Sequence, residues 1–312
     1  MRRLCAAVLA TLSLLWGLSS PAIGQTSQVN TVKHAPTDVV APVRSTLAFI
    51  EKASDEIAPN TSFNLYRWDR FPKVIIFDFE TLSYQDRMFT RLAYFLEKRW
   101  HRGALLSDKE LQDKHGWTAH DYGPQGLASF FSKAASSGFP LDDEELLLRS
   151  ILLREGVIEA KDHSYIPGEG AALSINRSSS YYERVLLLAH ESYHGIYFCS
   201  AEYRKLCREV WASASPAERL FIIKLLSRLT YDTADRELLI NEFQAYLLQQ
   251  PRSYAPAYFK RAAKLIADED GEPDIDAVLP DLLASEQKLE DYLMAHYAIR
   301  AGGGIVRSEA VN

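Results

Sequence analysis

The segment LLLAHESYHGIYF, residues 186–198, sets two histidines and a glutamate inside an otherwise apolar run. Nothing else in the chain constrains its fold as tightly. The run contains no proline, so it reads as a helix, and its apolar collar requires that helix to be buried. Ser180 and Glu183 stand at the S-x-x-E spacing of a capping box, which closes open backbone N–H groups at a helix start. Residues four apart lie about one turn above each other, so His190 and His194 share a face. Two imidazoles placed this way can point at one tetrahedral centre. Leaving them and a carboxylate unpaired in apolar surroundings costs a few kcal/mol, and a metal ion removes that cost. Glu191 falls off the ligand line but beside the open coordination position, where a metal-bound water would sit. The alternative is a buried helix whose histidines are hydrogen-bonded to neighbours.

A catalytic zinc usually takes three protein ligands. An extended H-E-x-x-H-x-x-G-x-x-H pattern needs Gly at 197 and His at 200, but the chain has Tyr197 and Ser200. His296 lies far along, on a polar helix near the end. A carboxylate is the better candidate, and RELLINEFQAYLLQQ reads as a largely buried helix with Glu242 in its middle. A lone buried glutamate needs a partner, which a zinc ion supplies. Glu237 is a rival nearer the helix start, where acids are favourable without any ligand.

H-E-S-Y-H followed by N-E-F-Q-A-Y on a second helix resembles the gluzincin branch of zinc metallopeptidases, over roughly residues 165–250. The resemblance implies one zinc ion held by His190, His194 and Glu242, with Glu191 as general base. It also implies a zincin-like helical core and hydrolysis of peptide bonds. Many members carry an aspartate four residues after the third ligand to orient a histidine. This chain has Tyr246 there, so the orienting carboxylate is unidentified. Tyr246, Tyr231, Tyr165 and His163 are the candidate donors to a tetrahedral oxyanion.

The rest of the chain reads as support. Arg2 and Arg3, an apolar run over 4–18 and SSPAIGQ fit a signal peptide cleaved after Gly24, and hence an exported, periplasmic or secreted protein. The run is short for a membrane span. Net charge is −6 for the whole chain, and becomes about −8 without Arg2 and Arg3. That balance suggests neither a nucleic-acid partner nor an anionic membrane surface. Beyond the signal peptide the cysteines are Cys199 and Cys207. In an oxidising compartment an isolated pair is expected to bridge, with two buried free thiols as the alternative.

Residues 25–46 read as a flexible lead-in, 47–160 as a smaller α/β portion, 161–300 as a mainly helical portion, and 301–312 as a disordered tail. The expected class is α+β, mainly α. Val74–Phe79 reads as a buried strand, and 83–100 and 141–156 as helices. Ser107 reads as the cap of a short helix. KHGWTAHDYGPQG reads as a loop, although His115, His120 and Asp121 invite a second metal site there. Histidines five apart on a loop do not have helical ligand spacing, so a structural or substrate-facing loop is expected instead. Residues 171–175 read as an extended stretch, taken as an edge strand able to pair with an extended substrate. Helices follow at 179–199, 203–213, 216–229, 234–250, 254–268 and 283–298. Two functions fit: a metallopeptidase acting on protein, peptide or cell-wall peptide, or an idle exported binding or assembly protein that keeps the helical core. An intact Glu191 favours the first.

Overall fold

The computed structural model describes residues 41–52, 62–114, 116–267 and 273–303. The expected signal peptide, residues 25–40 of the expected lead-in, His115 and the expected tail from 304 lie outside the described residues. The fold is mixed α and β, mainly helical, with a five-stranded sheet, a separate two-stranded hairpin and eleven helices among the described residues.

The sheet is built from β1 (Val43–Ser45), β2 (Phe63–Trp68), β3 (Val74–Phe79), β4 (Ala119–Tyr122) and β7 (Ala171–Asn176), in the order β1-β2-β3-β7-β4. β1 runs parallel to β2 and β3 parallel to β7, whereas β2–β3 and β7–β4 are antiparallel. Every residue of β3 and of β7 is buried. Both strands are covered on both faces, which is why VIIFDF reads as a nearly continuous apolar run. Alternation divides the core in two. Val74, Ile76, Leu173 and Ile175 pack under the helices of the second half of the chain. Ile75, Phe77, Phe79 and Ala172 pack against α2 (Leu82–Leu96), α4 (Pro124–Ser137) and α5 (Asp143–Arg154). The hairpin of β5 (Ile158–Lys161) and β6 (Ser164–Pro167) also belongs to this second side, because the Tyr165 ring meets Phe131 of α4.

Two short helices complete the first half: α1 (Leu47–Glu51) and α3 (Asp108–Leu111), the latter capped by Ser107 as expected. The second half contributes α6 (Tyr181–Cys199), α7 (Ala201–Ser213), α8 (Pro216–Arg228), α9 (Arg236–Leu248), α10 (Ala255–Leu265) and α11 (Ile275–Tyr297). α6 lies directly on the sheet. A Cβ added at Gly195 would stand 3.3 Å from the Val74 methyls and 3.4 Å from Leu173, so glycine lets the helix backbone approach this closely. The start of α6 is fixed by Arg184, whose Nη1 donates to Asp78 Oδ1 and to the Asn176 carbonyl, both at 2.9 Å. Its Nη2 donates to the Ile50 carbonyl at 2.6 Å, so one guanidinium joins α6 to α1, β3 and β7.

Several expectations are corrected. β7 lies between β3 and β4, so 171–175 is an interior strand and has no edge to offer a substrate. Its near-total burial, rather than an alternating pattern, is the mark of an interior strand. AHDY within the expected loop forms β4, because its backbone groups are met by β7. The lead-in ends early, since Val43, Arg44 and Ser45 pair with Tyr66, Arg67 and Trp68. The first residues of the expected tail are ordered: Gly302 N–H donates to the Leu248 carbonyl at 2.7 Å and Gly303 N–H to the Tyr193 hydroxyl at 2.9 Å. Cys199 and Cys207 are both free thiols. Cys199 closes α6 half-buried, while Cys207 faces the core from α7 beside Tyr203, and burial raises both thiols above their ordinary range. α11 starts eight residues earlier than expected and runs through Pro280. Val278 and Leu282, both buried, hold that first stretch onto the core. No helix among the described residues is long and apolar enough to cross a membrane.

Candidate metal centre

α6 opens with the capping box: the Ser180 side chain accepts from Glu183 N–H, and the Glu183 side chain accepts from Ser180 N–H. From that start, all five residues of H-E-S-Y-H are buried. The imidazoles of His190 and His194 come together with their ring centres 4.7 Å apart. Glu242, in the middle of α9 and 2 % exposed, faces them. Its Oε2 lies 3.6 Å from His190 Nε2 and 3.9 Å from His194 Nε2. One ligand atom from each of these three residues falls within 4.8 Å of the others, so the group can hold a metal ion. Asp121, Glu191 and His194 form a second such group, sharing His194 with the first.

The protonation states suit a metal. Burial pushes both His190 and His194 down to about 4, so each imidazole is neutral near pH 7 and has a lone pair to give. Gln249 Oε1 lies 2.9 Å from His190 Nδ1 and can only accept, so Nδ1 carries the proton and Nε2 is left open toward Glu242. The carboxyls show the opposite strain. Burial raises Glu191 well above its ordinary value, with Glu242 and Glu97 adding to it. Asp121 is raised well above by burial and then by Glu191, Glu242 and Glu97. Burial also raises Glu242, against the pull of His194 and Lys98. The cation at hand is Lys98, 3.3 Å from Glu97 and 3.6 Å from the centre of the Trp117 ring. Four carboxyls around one ammonium call for more positive charge.

The same need shows atom by atom. Both ring nitrogens of His194, Glu242 Oε2 and Glu191 Oε2 are buried without a hydrogen-bond partner. Buried polar atoms are nearly always satisfied, and His194 Nε2 and Glu242 Oε2, facing each other from two helices, fit a bound cation. The residues present therefore suit a metal with mixed nitrogen and oxygen ligands.

The expected site residues divide clearly. His190, Glu191, His194 and Glu242 are brought together. The rival Glu237 is not, because Arg208 Nη2 donates to it at 2.7 Å and the Tyr197 hydroxyl at 3.1 Å. Tyr231 and Tyr246 line the cleft beside His190 and Glu191, and Tyr231 hydrogen-bonds Glu242. Tyr165 and His163 belong to the β5–β6 hairpin against α4 and are removed as oxyanion donors. His296 packs on Tyr292 at 4.1 Å, away from the site.

Asp121, Gln249, Asn241, Glu97 and Lys98 were missed as site residues. Gln249 stands seven residues, two helical turns, after Glu242, so spacing alone could have found it. In β4 the alternation sends His120 and Tyr122 onto Phe89, with ring centres 5.3 and 5.7 Å away. Asp121 takes the other face, toward α6, 3.5 Å from His194 Nδ1. His120 Nδ1 lies 2.9 Å from Ser174 Oγ and 3.1 Å from Gln85 Nε2, which places it in that core and not in a second metal site. Glu97 and Lys98 follow α2, and no sequence signal points from there to the site. Comparison with protein-family models, curated proteins and solved structures returns no match.

Proposed function

We propose that this chain is an exported zinc metallopeptidase of the gluzincin type, hydrolysing peptide bonds in proteins, peptides or cell-wall peptides. The observation that carries the reading is the convergence of His190, His194 and Glu242, all buried with ligand atoms within 4.8 Å, and with His194 and Glu242 short of partners. Such a ligand set, two imidazoles and one carboxylate, leaves a fourth position for water or substrate. Zinc bound there supplies Lewis-acid polarisation of the scissile carbonyl and a lower pKa for water.

The protein's own part follows from position. Glu191, next to His190 yet outside the ligand set, accepts the proton of the attacking water and returns it to the leaving amine. Tyr231 and Tyr246 stand at the cleft wall as hydroxyl donors for the developing oxyanion. Leu187 and Trp117 complete an apolar lining that keeps water scarce. Among the described residues β4 pairs on one side only, with β7. An extended peptide added to its outer side would run past Asp121 and the cleft.

The test is metal analysis of the purified native chain together with Glu191→Gln. Zinc at one ion per chain, with hydrolysis lost in the variant and zinc retained, supports the peptidase. Native protein devoid of zinc and of hydrolytic activity supports a binding or assembly protein instead. Running the assay on a peptide library beside purified cell wall identifies the substrate class.

A further inference from the structure

We infer that Asp121 is the carboxylate that positions His194, a role for which the sequence offers no partner on α9; the inference rests on the metal-site reading above. Strand register puts Asp121 opposite Leu173, one residue from His120 opposite Ser174, so the two side chains leave β4 on opposite faces. Asp121 Oδ2 then lies 3.5 Å from His194 Nδ1. That nitrogen is fully buried, and besides Asp121 the polar side chain that bears on the ring is the Asn241 amide. Since His194 Nε2 faces Glu242, the ring proton belongs on Nδ1, and the carboxylate facing it is Asp121. A closure of a few tenths of an ångström makes this a hydrogen bond.

The aspartate is itself held. Asn241 Nδ2 donates to Asp121 Oδ2 at 3.4 Å. Asn241 directly precedes Glu242, so the helix that brings the third ligand also steadies the carboxylate behind the second. The two histidines are treated alike but not identically. His190 has an amide oxygen at Nδ1, from Gln249, at 2.9 Å. His194 has a carboxyl oxygen, from a strand on the other side of the cleft. A carboxylate at Nδ1 fixes the tautomer, orients the ring and makes it a stronger ligand. Asp121 thus replaces, from the sheet, the function that Tyr246 cannot perform from α9.

The experiment uses the full chain and measures Zn2+ affinity and stoichiometry by chelator competition. Asp121→Ala is expected to weaken Zn2+ binding about 10- to 100-fold while still binding one ion. Asp121→Asn, which keeps an acceptor oxygen, should recover part of that loss. Nitrogen-15 NMR of the zinc-loaded wild type should show His194 protonated at Nδ1 and ligated through Nε2; this measurement needs no variant to fold. Unchanged affinity in Asp121→Ala, beside tight binding by the wild type, overturns the assignment alone. So does His194 ligated through Nδ1, or a wild type that binds two ions of which Asp121→Ala keeps one at full affinity, since Asp121 would then be a ligand. A wild type that takes up no Zn2+ overturns the metallopeptidase reading and this inference with it.

Discussion

α6 carries two buried polar clusters barely two turns apart, and they are built on opposite plans. At its start, Arg184 meets Asp78, the Asn176 carbonyl and the Ile50 carbonyl, and Asp78 also pairs with Arg177 at 3.1 Å. The hydrogen bonds of Arg184 and of both Asp78 oxygens are met there within the protein. In its middle, His190, Glu191 and His194 face Glu242 and Asp121 with acids in excess and four buried atoms unpartnered. A cluster that only holds the fold satisfies itself, because each buried unmet group costs about 1–3 kcal/mol. A cluster that leaves such groups open on rigid elements is arranged for something that arrives later.

The sharpest way to break this comparison is to attack each cluster in turn. Glu191→Gln should reduce hydrolysis about 10²- to 10⁴-fold, as loss of a general base does, without lowering the melting temperature. Arg184→Met should do the reverse. Removing one partner of a buried ion pair costs about 3–5 kcal/mol, so chemical denaturation should show a stability loss of that order while any protein still folded binds Zn2+. Equal damage to stability from both substitutions would erase the distinction.

Zinc itself should act on one cluster only. Zn2+ at about 1,000 times its Kd should stabilise the native chain by about 4 kcal/mol, seen as a rise in melting temperature that a chelator reverses. Glu242→Gln should abolish most of that rise. It should also stabilise the zinc-free chain slightly, since it removes a buried carboxyl whose charged form burial disfavours.

The smallest effect comes from a third place. Glu286 of α11 is buried with both carboxyl oxygens unpartnered, and burial pushes it up to about 8, with Glu290 adding and Arg252 opposing. Unlike Glu242, it belongs to neither cluster of potential metal ligands. Its folded pKa lies above the ordinary 4.5, so the protonated form is the one the fold favours. That contribution is complete below about pH 4.5 and is lost as pH rises through about 8. Glu286→Gln should therefore match the wild type at pH 5 and exceed it at pH 8, by about 1–3 kcal/mol. A variant no more stable at pH 8 than at pH 5, relative to wild type, would mean that Glu286 has a partner, and would weaken the use of unmet atoms as a sign of a site.

Much of the site was legible because its information is local. His190 and His194 share a helix turn, the Ser180–Glu183 cap stands in the same few residues, and Glu242 is an acid inside an apolar helix. Val74–Phe79 was equally clear, since a strand covered on both faces is apolar throughout. The short AHDY strand was not, because two of its four residues are polar and its hydrogen bonds depend on β7, about fifty residues later. The Cys199–Cys207 bridge was expected from compartment and count, but pairing depends on where two helices aim their side chains.

The sequence by itself determined that His190 and His194 share one face of a buried α6 with Glu191 beside them, and that the class is mainly helical α+β, because helical period and burial are written into neighbouring residues. Only the tertiary structure decided that β7 is interior, that Asp121 and Gln249 stand behind the two histidines, and that Glu97 and Lys98 share the cleft. Those placements follow from strand order and helix packing, contacts between residues far apart in the chain, and no local pattern encodes them.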